Sequence, residues 1–256
     1  MSCDLFNLDG RVALVTGGSK GLGKAMARGF AEAGADVMIA SRSEDELKAA
    51  AVEIGEGLDV KVEWMVTDMG DREASDRLAA ETILRLGKVD IVVNNAGSNT
   101  PQPIDQIIDE DWDRIVELNL TSCMRLTRAV LPGMIERKWG RVIHISSVLG
   151  LGSKPARNVY SATKAGLIGM AKASALDLGK HNITVNCIAP GPILTDLPMS
   201  LLNDAEKKEF SKMTALDRWG TPRELAGPAV FLASEAGSYT TGATILVDGG
   251  AYARAL

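Results

Sequence analysis

The sequence predicts an α/β fold with an open, doubly wound, mostly parallel sheet of seven strands and helices on both faces. Three observations predict it. Short apolar, β-branched runs alternate with helical patterns from one end of the 256 residues to the other. Most of those runs are nearly continuous in apolar character, as expected of parallel strands covered on both faces. The first run ends in "TGGSKGLG" (16–23), a glycine-rich turn that opens a helix. A closed eight-stranded barrel would need one more strand, and the turn decides more firmly for the open sheet. Glycines there let the backbone turn tightly and approach a pyrophosphate, whose charge then sits on the helix N-terminus. Gly-rich turns also serve simply to reverse a chain, but at the first βα junction of an alternating chain nucleotide binding is the better reading.

The strands are "RVALVT" (11–16), "DVMIA" (36–40), "VKVEWMV" (60–66), "VDIVVN" (89–94), "RVIHIS" (141–146), "ITVNCI" (183–188) and "ATILVD" (243–248). Helices are expected between them at about 21–33, 43–55, 71–86, 110–137, 158–179 and 222–233. The run 110–137 contains Asn119 and Pro132, so a distortion is expected within it. No repeat, low-complexity tract or Pro/Ser-rich linker separates two halves, so residues 1–256 are expected to form one domain.

Composition narrows the function classes. The chain is 46% hydrophobic, 24% charged and carries a net charge of −5 without a basic run, which argues against nucleic acid as a partner. No apolar stretch reaches 18 residues, and "MSCDLFNLDGR" lacks the charged start and apolar core of a signal peptide, so no membrane association is expected. Cys3, Cys123 and Cys187 are few, odd in number and scattered, which fits reduced thiols in a cytoplasmic protein. With only His144 and His181, no metal site is expected.

The stretch "VYSATKAGL" (159–167) carries the chemistry. Asn158 can cap this helix, and Tyr160 and Lys164, four residues apart, share one face. An ammonium one turn away favours the phenolate, as does the helix N-terminus, so the pair can act as a tuned proton donor. A lone YxxxK is common by chance, and its plain reading is a tyrosine beside a solvated lysine. Here it does not stand alone. "TGGSKGLG", "NNAG" (94–97), Asn119, Ser147, "YSATK" (160–164), "PGPILT" (190–195) and "TGATILVDGG" (241–250) occur together and in order. In this the chain resembles the single-domain short-chain dehydrogenase/reductase family over roughly residues 8–250.

That resemblance implies a Rossmann-type sheet and a nicotinamide-dependent alcohol dehydrogenase or carbonyl reductase. Tyr160 would donate a proton to the substrate carbonyl oxygen, or remove one in the reverse direction. Lys164 would bind the nicotinamide ribose hydroxyls and assist loss of the tyrosine proton. Ser147, thirteen residues before Tyr160, would hold the substrate oxygen, and Asn119, through a helix distortion, would position a water on the proton path toward Lys164. On the cofactor side, Gly17, Gly21 and Gly23 would carry the pyrophosphate turn with Leu22 between them, and Ser19 and Lys20 would lie near the adenosine end. Asp68, with Met69 beside it, would accept from the adenine amino group, and Asn95, Ala96 and Gly97 would run beside the adenine ribose. Pro190 and Gly191 lead to Ile193 and Thr195, which would hold the carboxamide.

The second strand bears on cofactor choice. An NAD-preferring site of this kind places an acidic residue at that strand's end to bind the ribose 2′-hydroxyl. "VMIASRSEDEL" (37–47) offers Ser41 and Arg42 instead, with Glu44 and Asp45 coming later. A hydroxyl and a guanidinium suit a 2′-phosphate, and Lys20 adds a second positive charge. NADP(H) is therefore expected in preference to NAD(H), with NAD(H) still usable.

On the substrate side, "VLGLGSKPARN" (148–158) should form one pocket wall, where Lys154 and Arg157 could meet an anionic substrate. Residues 192–213 mix Leu197, Met199, Leu201, Leu202 and Phe210 with charges, as a lid does; a fixed surface excursion reads the same way. The layout is similar to gluconate 5-dehydrogenase-like sugar-acid enzymes and to 3-oxoacyl-carrier-protein reductases. "DLFNLDG" and "DRWGTPREL" (217–225) lean toward the first. A non-catalytic nucleotide-binding sensor is the alternative of a different class, and the intact Asn119, Ser147, Tyr160 and Lys164 argue against it. Family resemblance also implies a homo-oligomer, tetramer or dimer.

Overall fold

The computed structural model describes residues 4–195 and 203–253. Its strands are β1 (Val12–Thr16), β2 (Asp36–Ser41), β3 (Val62–Val66), β4 (Ile91–Asn94), β5 (Gly140–Ile145), β6 (Ile183–Pro190) and β7 (Thr244–Val247). They form one parallel sheet in the order β3-β2-β1-β4-β5-β6-β7. The chain runs outward from β1 to β3, then returns to lay β4 on the other side of β1. Connections therefore diverge at the carboxyl ends of β1 and β4 and leave a crevice there, where open α/β sheets bind ligands.

Strands β1 and β5 are buried along their whole length, which explains their unbroken apolar runs. Alternate side chains serve two cores. Ala13 and Val15 of β1 share a core with Phe30 of α1 (Gly21–Glu32), Leu47 of α2 (Glu44–Gly55) and Ile39 of β2. Leu14 faces the other side, with Leu78 of α3 (Ala74–Leu86), Leu126 and Leu167.

The long helix expected at 110–137 is interrupted. Helix α4 (Asp109–Val116) passes through a π-helical turn, Glu117–Thr121, into α5 (Ser122–Arg137). In that turn the Ser122 N–H donates to Glu117 O, and side chains satisfy displaced carbonyls: Ser122 Oγ donates to Leu118 O at 2.6 Å and Cys123 Sγ to Asn119 O at 3.3 Å. Pro132 lies inside α5 without ending it. The distortion belongs to Asn119.

Helix α6 (Asn158–Leu178) starts with Arg157 as its cap residue, and no side chain caps it. Asn158 Nδ2 instead donates to Gln102 O at 3.0 Å, tying the loop after β4 to the loop after β5. The helix expected at 222–233 opens with a tight turn, Pro222–Leu225, before the helix Ala226–Ala233. A helix Asp204–Lys212 lies within the segment 192–213; numbering in chain order makes these two α8 and α7. Leu197, Met199, Leu201 and Leu202, the Phe210 side chain and Cys3 lie outside the described residues. Among the described residues no helix is long and apolar enough to cross a membrane, and no three His, Cys, Asp or Glu side chains group to hold a metal ion.

Candidate active site

The crevice is built first by the backbone. In the turn after β1, Gly17 has φ +65°, a conformation side chains disfavour, and a Cβ there would stand 2.7 Å from Asn95 Nδ2. A Cβ on Gly23 would stand 2.2 Å from Gly17 O, so the first turn of α1 packs directly on the loop. The loop is tied to the end of β4. Thr16 Oγ1 accepts from the N–H groups of Asn95 and Ala96, both at 3.0 Å, and Asn95 Nδ2 donates to Thr16 O and Gly17 O. Residue Lys20, extended at the N-cap of α1, makes no side-chain cap. The first N–H groups of the helix, around Leu22 and Gly23, thus lack an intrahelical partner and face the crevice mouth, as an anion site requires.

Gly21, Leu22 and Thr195 lie together at this mouth: a Cβ on Gly21 would come within 3.3 Å of Thr195 Cγ2. Pro190 ends β6, the Gly191 N–H donates to Val247 O at 3.0 Å, and Ile193 pairs with Gly220. Asp68 falls two residues beyond β3, exposed, with Oδ1 accepting the Gly70 N–H at 2.9 Å; Met69 beside it is buried.

At the end of β2, among the described residues, the exposed Arg42 makes no ion pair and the buried Ser41 Oγ has no hydrogen-bond partner. An unpartnered hydroxyl beside an uncompensated guanidinium fits a phosphate ester. Ser19 and Lys20 are differently placed. Ser19 Oγ donates to Glu46 Oε2 at 3.1 Å and Lys20 Nζ to Glu46 Oε1 at 3.0 Å. Sequence reasoning passed over Glu46, because nothing in the spacing shows that α2 turns it toward the glycine loop.

The chemical end of the crevice forms where β4, the π-helical turn and α6 meet. Asn119, fully buried, accepts the Ser98 N–H at Oδ1 and donates from Nδ2 to Ser98 O, each at 2.9 Å; it also donates to Thr163 Oγ1 at 3.3 Å. A Cβ on Gly97 would be 3.1 Å from Asn119 Oδ1 and 3.5 Å from Lys164 Nζ, so the glycine backbone runs close against both side chains. Lys164 is buried, with Nζ 2.7 Å from Ile145 O and 5.6 Å from the centre of the Tyr160 ring. An ammonium has three donors, and among the described residues one is used. The remaining two suit ribose hydroxyls.

Ser147 follows β5 and caps the short turn Val148–Gly150, its Oγ accepting from Leu149 N at 3.1 Å. Ser146 Oγ donates to Lys164 O at 2.8 Å, and a Cβ on Gly150 would meet that same peptide at 2.8 Å. These contacts lock α6 against the end of β5. Thr16, Ser98, Ser146 and Gly150 are thus positioning residues that sequence reasoning missed; their sequence signal is only adjacency to the motifs.

Behind the site, His144 is fully buried between β4 and β6, its Nδ1 3.1 Å from Asn94 Nδ2, which also donates to Thr127 Oγ1. Burial, then the Lys164 charge, pushes the imidazole down to about 4. An unfolded histidine titrates near 6.5. A proton therefore binds the unfolded chain first, and stability present above about pH 6.5 is lost as pH falls toward 4, by about 3 kcal/mol in total. Denaturation midpoints of wild type and His144→Asn between pH 4 and 7 should show the slope in wild type and its reduction in the variant. The thiols of Cys123 and Cys187 are pushed by burial up to about 11 and about 12, which keeps them protonated and unreactive.

A doubly wound sheet with a glycine cradle, an open helix N-terminus and a Tyr–Lys pair at the end of a strand fits a dinucleotide-dependent oxidoreductase of hydroxyl and keto groups. Comparison with known proteins agrees. Residues 17–252 match the family model described as enoyl-(acyl carrier protein) reductase. The 3-oxoacyl-(acyl-carrier-protein) reductase FabG of Chlamydia muridarum is 39% identical over 240 residues, covering 94% of this chain and 96% of that protein. A gluconate 5-dehydrogenase from Burkholderia cenocepacia, solved with NADP and tartrate, superposes with a TM-score of 0.93 at 35% identity, covering 100% of both chains. A 3-oxoacyl (acyl-carrier-protein) reductase from Agrobacterium tumefaciens with NADP bound gives 0.92 at 33% identity over 97% of each. The chain belongs to the short-chain dehydrogenase/reductase family.

Proposed function

We propose that this protein transfers hydride reversibly between NADP(H) and a secondary alcohol or ketone, a sugar acid being the substrate class. The observation that supports the reading is Lys164, 5.6 Å from the centre of the Tyr160 ring and hydrogen-bonded to the last carbonyl of β5, two residues before Ser147. A bound nicotinamide would supply or accept the hydride. In the reductive direction the Ser147 and Tyr160 hydroxyls hold the carbonyl oxygen, and the Tyr160 O–H proton passes to it as the alkoxide forms. The Lys164 ammonium stabilises the phenolate left behind, and Asn119 holds the loop and the helix that carry the proton path. In the oxidative direction each transfer reverses.

A sugar acid is favoured by the loop leading to Tyr160. Burial, then the charge of Arg157, holds the Lys154 ammonium below its usual range, so two cations stand together there. A substrate carboxylate would be attracted to both. The gluconate 5-dehydrogenase that superposes on the chain holds tartrate, an anionic hydroxy acid. A 3-oxoacyl thioester is the second reading, favoured by the 39% identity to the Chlamydia muridarum reductase. Steady-state assays with NADPH against keto-sugar acids and acetoacetyl thioesters separate the two: a higher kcat/KM for the thioester overturns the first.

Arg42 tests the cofactor assignment. A charge-assisted contact contributes about 1.5–3 kcal/mol, so Arg42→Ala should weaken NADPH roughly 10- to 150-fold and leave NADH nearly unchanged. Equal losses in kcat/KM for both cofactors would count against a 2′-phosphate contact. Residues 192–213 are assigned the role of a lid over the substrate, supported by their place directly after Pro190-Gly191. Amide exchange in that segment should slow when cofactor and a substrate analogue bind; equal protection with and without ligands would make it a fixed excursion. The chain is further assigned to a cytoplasmic homo-oligomer of two or four copies acting without nucleic acid. Support comes from the edge strand β7, which leaves Leu246 exposed.

A further inference from the structure

We propose that Glu46 sets how strongly this enzyme distinguishes NADP(H) from NAD(H), by occupying with its own carboxylate the groups that would otherwise receive the 2′-phosphate. The proposal rests on the NADP(H) reading above. Its starting point is a local rule that the structure breaks. "SEDE" (43–46) has the S-x-x-E pattern of a capping box, in which the serine accepts from the fourth residue's N–H and the glutamate reaches back to the serine's own N–H. The first half forms: Ser43 Oγ accepts from Glu46 N at 3.5 Å. The second half does not. Glu46 turns away from its own helix and spans to the glycine loop, taking Ser19 Oγ at 3.1 Å and Lys20 Nζ at 3.0 Å.

Those two partners lie in the turn that follows β1, beside the end of β2 that carries Ser41 and Arg42. A carboxylate bridging a buried hydroxyl and an ammonium copies two of the contacts a phosphate ester makes. The hydrogen bond from Lys20, with that from Ser19, holds the Glu46 carboxyl below its usual range, so it is ionised whenever the cofactor arrives. Lys20 is therefore already neutralised, and a 2′-phosphate must displace Glu46 to use it. The displaced charge stays on the first turn of α2 and opposes the incoming dianion. NAD(H), which lacks the phosphate, meets neither cost. Lys20 and Glu46 are 61% and 43% exposed, so the exchange is a modest one that tunes preference without abolishing it. Arg42, with no ion pair of its own among the described residues, then provides most of the phosphate contact.

Binding of 2′,5′-ADP and 5′-AMP, followed by calorimetry, reads the 2′-phosphate without any catalytic step. Glu46→Gln keeps the size and a hydrogen-bond acceptor while removing the charge. It should tighten 2′,5′-ADP roughly two- to fivefold at low salt and leave 5′-AMP unchanged, the gain shrinking as salt rises. In a Lys20→Ala background the gain should fall by more than half. Unchanged or weaker 2′,5′-ADP binding by Glu46→Gln overturns the proposal, as does an equal change for both ligands, which would make Glu46 a tie of the loop. If wild type binds 2′,5′-ADP no more tightly than 5′-AMP, the NADP(H) reading itself fails and the Glu46 proposal with it. A wild-type preference for 2′,5′-ADP with no effect at Glu46 overturns only the latter.

Discussion

Replacing Tyr160 by Phe is expected to reduce turnover by roughly 10²–10⁴-fold, the range for loss of one positioned proton donor, while cofactor affinity and thermal midpoint stay near wild type. The expectation follows from what the substitution removes. Only the hydroxyl goes; the ring, 5.6 Å from Lys164 Nζ, keeps its place in the first turn of α6. The residue is half-buried at the crevice, so no core contact is lost. Without the phenol, an oxyanion formed by hydride transfer would have Ser147 as its hydroxyl partner and no proton to take. Steady-state kinetics beside NADPH titration separates the two effects. A variant with near-normal kcat on the same substrate would remove Tyr160 from the chemistry.

Lys164→Met should injure two properties together. Its ammonium is buried beside Ile145 O, with two donors unused among the described residues, which suits it to the two proposed roles of stabilising a phenolate and holding ribose hydroxyls. Loss of the charge is expected to lower kcat by about 10²–10⁴-fold. Loss of hydrogen bonds from a charged donor should weaken cofactor by about tenfold or more. Methionine fills much of the same volume, and the Ile145 carbonyl left without its partner costs on the order of 1–3 kcal/mol, so the variant should fold with a lowered midpoint. Full turnover at saturating cofactor would restrict Lys164 to binding. The contrast with Tyr160→Phe, in which affinity is preserved, is the stronger test of both assignments.

Both variants act where the sequence was most legible. Lys164 stands beside the Tyr160 ring and the last carbonyl of β5, two residues before Ser147, and the glycine turn opens a helix without a side-chain cap. The distorted helix was legible too, since asparagine in a long helical run signals competition for backbone hydrogen bonds. Its place was less so: Pro132 is the stronger breaker by propensity, yet α5 runs through it and the π-helical turn forms around Asn119. The side chain of Asn119 makes paired hydrogen bonds to Ser98, a residue 21 positions away, and no local rule contains that contact. Asn158 shows the same limit in reverse. Its residue type predicts a cap, and the fold uses it to tie Gln102 instead.

By itself, then, the sequence determined the strand and helix order, the parallel sheet, the glycine turn at the first βα junction and the candidate groups for proton chemistry. Those follow from hydrophobic period, glycine conformation and side-chain pairing one turn apart, all properties of neighbouring residues. Only the tertiary structure decided which partners those groups have. It buried Lys164 against Ile145, set His144 beside Asn94, bound Asn119 to Ser98, and gave Ser19 and Lys20 to Glu46 while leaving Arg42 without an ion pair among the described residues. The physical reason is that a charge or a hydroxyl carries no record of its partner in the chain. Its partner is whichever group the packing of the sheet and its helices brings within about 3 Å, and that distance is set by the whole fold at once.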